Sequence, residues 1–295
     1  MLIALQGAEA DAATRGYAVI TGASSGIGEA LARNLAARGQ QDLLLIARRR
    51  QQLEKLALQL RVEHGSTVNV LACDLSTEEG ITECCRATAR LDLDLVCLNA
   101  GICRPCDSTI QQPAHEMDAM VDLNVRSTTM LLQHFAGTMA ASGRGGQVLI
   151  VASAAGAAPG VPGVAVYAAS KAYLRSLAGG VRAELRQQRC GVSVTCALPS
   201  AVDTEFARAS GLEHAATFTL PGVRLLGAVQ SADAVARSAL AAARARRAEV
   251  VPGWLPRAYV GLTDGVGMPR ALTRWLAAVS FGAAPRPPWS RGAAR

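Results

Sequence analysis

The run Thr21-Gly22-Ala23-Ser24-Ser25-Gly26-Ile27-Gly28 limits what this chain can fold into more than any other stretch. An apolar segment, Tyr17 to Ile20, leads into it. Beyond it, Glu29 to Arg38 carries leucines and alanines at helical spacing until Gly39. The order is strand, glycine turn, helix. Glycines at such a turn let backbone N–H groups approach an anion closely, and the positive end of the helix dipole favours that anion. The expected ligand is a dinucleotide held through its pyrophosphate.

With 295 residues the chain can bury one large core, and one domain is expected. Its 50% apolar content comes mainly from Ala, Val and Leu, with 4% aromatics, which suits helices packed on a sheet by small residues. No apolar run is long enough to cross a bilayer. Residues 1–15 lack the charged start and long apolar core of a secretory signal, so an irregular lead-in and a cytoplasmic location are expected. The eight cysteines then read as reduced thiols. Cys103-Arg104-Pro105-Cys106 has C-x-x-C spacing, but no second pair and no paired histidines follow it, so no metal site is expected. The net charge of +7 is uneven. From Arg244 to Arg295 nine arginines face only Glu249 and Asp264, so this segment accounts for the whole excess. A solvated surface is the commoner fate of such charge, and no nucleic-acid partner is expected.

Along the chain, Asp42 to Ala47 reads as a buried parallel strand ending at Arg48-Arg49-Arg50. At the end of such a strand an acidic residue binds the ribose 2′-OH of NAD, whereas an arginine receives the 2′-phosphate of NADP. Ala47 stands at the acidic position and Arg48 follows, so NADP(H) is expected, with Ser24 as a second contact. After a helix over Gln51 to Glu63, a third strand, Thr67 to Cys73, stops at Asp74-Leu75. A helix capped by Thr77 leads to a fourth, Leu95 to Leu98, which runs into Asn99-Ala100-Gly101. A long helix from Pro113 to Met139 contains Asn124, and a fifth strand, Gln147 to Ser153, brings Ser153 to the carboxyl edge where open parallel sheets bind ligands. Tyr167 and Lys171 lie four apart on one helix face. A free phenol has a pKa near 10, and a neighbouring ammonium favours its ionised form, easing proton exchange. The sixth strand, Val192 to Leu198, ends at Pro199-Ser200-Ala201-Val202-Asp203-Thr204.

These motifs, in order from Thr21 to Thr204, resemble the short-chain dehydrogenase/reductase family. The resemblance implies a single α/β domain of Rossmann type, a doubly wound parallel sheet with helices on both faces. It also implies NADP(H)-dependent hydride transfer between a carbonyl and a secondary alcohol. Tyr167 would donate the proton, Ser153 would bond the carbonyl oxygen, Lys171 would lower the Tyr167 pKa and hold the nicotinamide ribose, and the Asn124 carbonyl would support a water relay. The cofactor contacts so implied are Gly22, Ser24, Ser25, Gly26, Ile27, Gly28 and Arg48, then Asp74 at the adenine with Leu75. Asn99, Ala100, Gly101, Pro199, Val202, Thr204, Tyr167 and Lys171 would meet it nearer the nicotinamide. Two features depart from the pattern: Ser200 replaces the usual glycine, and the gap from Ser153 to Tyr167 is one residue longer, with Pro159 to Gly163 in the loop.

Residues 205–229, with little periodicity, fall where the family carries a substrate lid. Helix Ala232 to Arg246 and strand Glu249 to Val251 complete a catalytic domain over 16–253. Pro269 to Phe281, in an extension over 254–282, has one apolar face that can cover the core, close a dimer or lie on a membrane interface, core or dimer cover being the commoner fate. The basic tail, 283–295, is expected to be disordered. The expected substrate is an apolar or lipid-like ketone such as a 3-oxoacyl or steroid-like compound, and the expected assembly a homodimer or homotetramer through the helices bearing Asn124 and Tyr167. Two alternatives stand beside this reading: a catalytically silent NADP(H)-binding scaffold, and an NAD-linked alcohol dehydrogenase.

Overall fold

The structure is a computed structural model and describes residues 16–158, 160–212 and 229–264. The expected lead before Gly16, Pro159, most of the lid segment, the amphipathic stretch from Pro269 and the basic tail lie outside the described residues.

Seven parallel strands form the central sheet: β1 (Tyr17–Thr21), β2 (Asp42–Ala47), β3 (Val68–Ala72), β4 (Leu93–Leu98), β5 (Gly146–Val151), β6 (Val192–Ala197) and, later in the chain, Glu249–Val250. Helices α1 (Gly26–Ala36), α2 (Arg50–His64) and α3 (Glu78–Thr88) connect the first strands. Thr77 caps α3 by accepting from Gly80 N at 3.1 Å. The order across the sheet is β3-β2-β1-β4-β5-β6 and then the 249–250 strand, so the winding reverses between β1 and β4. At that reversal the loops after the two strands part and leave a crevice at their carboxyl ends.

Successive side chains of a strand point to opposite faces, and β1 shows the consequence. Ala18 and Ile20 join one buried layer with Leu31 and Leu35 of α1 and Leu53 and Leu60 of α2. Val19 joins the other, with Leu131 and Phe135 of α5 (Thr128–Ser142) and Leu174 and Leu185 of α6 (Ala165–Gln188). Both faces are covered, which explains why the strands read as continuous apolar runs rather than alternating ones.

The long helix expected around Asn124 is present but widened. α4 (Ala114–Met120) passes into a π-helical turn, Val121–Ser127, and then into α5. Several short elements are not expected from the sequence. A two-stranded parallel sheet pairs β7 (Ala201–Asp203) with β8 (Val229–Ser231), and the short α7 (Glu205–Ala209) follows β7. After α8 (Ala232–Arg244) and β9 (Glu249–Val250), helix α9 (Trp254–Asp264) packs on the segment just beyond Ser153. Arg175 of α6 fastens it, donating to Glu249 Oε2 and Asp264 Oδ2, each at 2.5 Å. Among the described residues no helix is long and apolar enough to cross a membrane. All eight cysteines are free thiols, five of them buried.

Candidate active site

The crevice is built by sewing the turn after β1 to the turn after β4. Thr21 Oγ1 donates to Cys97 O at 3.3 Å and accepts from Asn99 N at 2.9 Å and Ala100 N at 3.1 Å. Asn99 Nδ2 returns bonds to Thr21 O and Gly22 O at 3.0 and 3.3 Å. Gly22 and Gly26 adopt φ of +66° and +59°, which L side chains seldom do, and a Cβ on Gly28 would stand 2.2 Å from Gly22 O. Ser25 starts α1 yet makes no side-chain cap bond, so the first N–H groups of the helix keep their capacity for an external anion. Positive-φ glycines, close backbone approach and an uncapped helix start are what a dinucleotide pyrophosphate requires, so these residues fit that group. Ile27 lies partly buried against the α1 layer.

At the far end, Asp74 Oδ1 accepts from Ser76 N at 2.9 Å and Ser76 Oγ at 2.7 Å. Partial burial works to raise the Asp74 pKa, but these bonds and the nearby Arg48 outweigh it and hold the carboxyl below its usual value. Arg48 is largely exposed, with Nη1 3.8 Å from Asp74 Oδ2. Leu75 is buried in the core, so only its backbone can face a ligand. The residue bonded to Ser24 is Arg49, not Arg48: Arg49 Nε donates to Ser24 Oγ at 3.1 Å, and Nη2 to Ser25 Oγ at 2.8 Å. Three consecutive arginines gave no sign of which would turn inward. The partner that selects Arg49, Glu205, lies 156 positions away.

The central part of the site gathers around α6. Tyr167 and Lys171 project from one face, and β5 ends where Ser153 meets them. A 3₁₀ turn, Ala154–Ala157, follows Ser153, whose Oγ accepts from Ala155 N at 3.2 Å. That turn presses on α6 so tightly that a Cβ on Gly156 would stand 2.6 Å from the Lys171 carbonyl carbon, which explains a glycine there. Ser153 also hydrogen-bonds the Tyr167 phenol. Lys171 Nζ donates to Val151 O at 3.1 Å and lies 5.6 Å from the centroid of the Tyr167 ring. Gly101 backs onto this pair; a Cβ on it would be 3.1 Å from Asn124 Oδ1 and 3.2 Å from Lys171 Nζ. Asn124, fully buried in the π turn, clamps the same loop: Oδ1 accepts from Ile102 N and Nδ2 donates to Ile102 O, both at 2.9 Å, with a further bond from Nδ2 to Ser170 Oγ at 3.1 Å. A π turn commonly marks a functional position in a helix.

Burial governs the protonation of this group. It drives the Lys171 pKa down from 10.5 to about 8 against the smaller effects of the Cys196 and Cys103 thiols. It pushes the Tyr167 phenol above its usual 10; Cys103 acts in the same direction, and the Ser153 bond opposes them. The sequence expectation that the ammonium eases Tyr167 ionisation is therefore corrected for the ligand-free protein. Desolvation of the phenol outweighs its neighbours, and the amine is directed at Val151 O.

An apolar shell, separate from the two core layers, surrounds Tyr167. Cys103, Met120, Val161, Val164 and Leu212 belong to it, and Phe206 of α7 sets its ring centroid 6.2 Å from that of Tyr167. Cys103 thus packs as a small apolar group, while Cys106 is half-buried. Pro199 O accepts from Ala154 N at 2.9 Å, tying the β6 loop to the Ser153 turn. Val202 is buried in β7, and Thr204 lies on the glycine turn, 3.2 Å from where a Gly26 Cβ would be. From this turn a groove of about 460 Å³ runs along α1. Glu29, Arg33, Asp203 and Asp233 line it with mixed charge.

Comparison with known proteins agrees with this geometry. The family described as short chain dehydrogenase matches residues 16–214. The chain is 32% identical over 173 residues to a 7β-hydroxysteroid dehydrogenase of Clostridium sardiniense, covering 57% of this chain and 63% of the relative. It spans 60–63% of the length of this and two other curated relatives. A Sphingobium yanoikuyae short-chain dehydrogenase solved in complex with NADPH superposes with a TM-score of 0.72 at 30% identity, covering 85% of this chain and 96% of that one. A Burkholderia phymatum short-chain dehydrogenase/reductase in complex with NAD gives 0.73 at 25%, covering 84% and 92%. With its parallel sheet, its glycine turn and the Ser153, Tyr167 and Lys171 group at the strand tips, the chain belongs to the short-chain dehydrogenase/reductase family.

Proposed function

We propose that the protein is an NADP(H)-dependent oxidoreductase that interconverts bulky apolar ketones and their secondary alcohols. The observation that carries this reading is the buried Tyr167 phenol, bonded to Ser153 and enclosed by apolar side chains at the mouth of a dinucleotide crevice. Gly22, Ser24, Ser25, Gly26, Ile27 and Gly28 would hold the pyrophosphate, Arg48 and Ser24 the 2′-phosphate, and Asp74 with the Leu75 backbone the adenine. Asn99, Ala100, Gly101, Pro199, Val202 and Thr204 would frame the nicotinamide half, whose chemistry when bound is to give or take the hydride.

The chain's own residues manage the proton and the geometry. A substrate carbonyl oxygen entering between Ser153 and Tyr167 meets two hydroxyl donors. Because burial keeps the phenol protonated, Tyr167 can give its proton as negative charge develops on that oxygen. Lys171, still cationic at pH 7 with a pKa of about 8, favours the phenolate left behind. Asn124 keeps the 101–102 loop beside the amine and would support the water relay that returns the proton. The shell of Cys103, Val161, Val164 and Phe206 presents no charge to the substrate, which favours a bulky apolar ketone. The Clostridium relative, named for a hydroxysteroid, supports the same class.

Ala47 at the end of β2, followed by Arg48, supports NADP(H) over NAD, as does the Sphingobium structure's NADPH. Exposed Val121, Met130 and Tyr173, on the helices that carry Asn124 and Tyr167, support self-association through that face, as a homodimer or homotetramer. A cytoplasmic location is part of the same proposal. The test is cofactor consumption with a panel of steroid-like, 3-oxoacyl and small polar ketones, run under NADPH and NADH. Faster turnover of the bulky apolar ketones with NADPH is expected. NADPH binding without turnover of any ketone would favour the silent scaffold instead.

A further inference from the structure

Arg49 joins the two ends of the cofactor crevice. Its Nη1 donates to Glu205 Oε1 at 2.5 Å and its Nη2 to Oε2 at 3.0 Å, a bidentate pair. The same Nη2 lies 2.8 Å from Ser25 Oγ, and both Nε and Nη2 lie 3.1 Å from Ser24 Oγ. Glu205 also bonds Ser25. It opens α7 directly after Thr204, which rests on Gly26. A carboxylate of the protein therefore lies beside the start of α1, paired with a guanidinium and the Ser25 hydroxyl, while Ser24 bonds the guanidinium. That is the company a phosphate oxygen would keep.

We propose that Glu205 is an internal competitor for the cofactor's phosphates and thereby a specificity-determining residue, a deepening that rests on the NADP(H) reading above. In the free protein it occupies Arg49 and Ser25 at the edge of the glycine turn. A dinucleotide entering the turn must displace it, because two anions cannot share the start of α1 without repulsion. A dinucleotide with a 2′-phosphate offers Arg49, beside Ser24, a replacement for the carboxylate it gives up. A plain dinucleotide breaks the same ion pair and offers nothing in return. Arg49 then discriminates against NAD(H) as well as for NADP(H), with Arg48 left as the outer contact.

The test is equilibrium binding of NADPH and of NADH to the full chain without substrate, by calorimetry, for the wild type, Glu205→Gln and Arg49→Gln. Circular dichroism melting checks that each variant is folded. Half-exposed ion pairs contribute modestly, so Glu205→Gln is expected to tighten both cofactors by about two- to fivefold. Arg49→Gln is expected to weaken NADPH by about 10- to 100-fold, the worth of a charged hydrogen bond, while NADH tightens as it does with Glu205→Gln. Opposite responses of the two cofactors to one substitution would not arise from a merely structural arginine. The proposal is overturned if Glu205→Gln leaves both affinities unchanged, or if Arg49→Gln weakens NADH as much as NADPH. If the wild type binds NADH as tightly as NADPH while Glu205→Gln tightens both, internal competition stands and the NADP(H) assignment fails.

Discussion

Around Tyr167 the polar groups are buried and their protonation follows from lost water, whereas around Arg49 they are half exposed and their state follows from one another. Burial lowers the Lys171 pKa and raises that of Tyr167. At the other end, the bond to Arg49 is the largest influence on Glu205 and lowers its pKa. The difference follows from dielectric. Desolvation dominates where no water remains, and specific partners dominate where it does. A catalytic proton needs a fixed environment, while a phosphate site has to exchange one set of partners for another on binding.

Substitutions can break this contrast, and the largest effect belongs to the buried end. Tyr167→Phe removes the proton donor without altering volume much, so ketone reduction should fall by about 10²- to 10⁴-fold. NADPH affinity measured by fluorescence titration should stay nearly unchanged. Lys171→Met should also abolish most activity yet stabilise the fold. The drop in the Lys171 pKa from 10.5 to about 8 means that folding disfavours its charge. That penalty is present in full below pH 8 and disappears as pH rises through 10.5. Allowing for the lost bond to Val151 O, urea unfolding at pH 7 should show Lys171→Met more stable by about 1–3 kcal/mol, with the gain gone near pH 10.5.

Next in size is Phe206→Ala, which removes the aromatic neighbour of Tyr167. KM for a bulky apolar ketone should rise about three- to tenfold, with a smaller change for a small polar one. The smallest effect belongs to the exposed end. Asp74→Asn should cost less than about 1 kcal/mol at pH 7. Because the Asp74 pKa is depressed, that difference should shrink as pH falls through and below 3.8. A large, pH-independent loss would mean that this end is held by more than its local charges.

Much of the fold was legible because buried parallel strands read as continuous apolar runs and because the glycine turn, Asn99-Ala100-Gly101 and Tyr167-x-x-x-Lys171 are local signals. The Thr77 cap and the β2 bounds, Asp42 to Ala47, were likewise local. What the sequence hid depends on distant pairing. β7 is three residues long and has meaning only beside β8, 28 positions later. Glu205 gains its role from Arg49, and Gly156 from its approach to Lys171. The Tyr167 pKa departs from the expectation for the same reason: spacing places a lysine nearby, but only the fold shows that the phenol is buried while the amine is directed at Val151 O.

The account depends on Tyr167 being held protonated by its surroundings until a substrate oxygen takes the proton. Carbon-13 NMR of tyrosine-labelled, ligand-free protein, with the Tyr167 signal assigned by its loss in Tyr167→Phe, reads that state directly across a pH titration. The Tyr167 signal should remain that of a neutral phenol up to pH 10, and its ionisation near neutral pH would contradict the account.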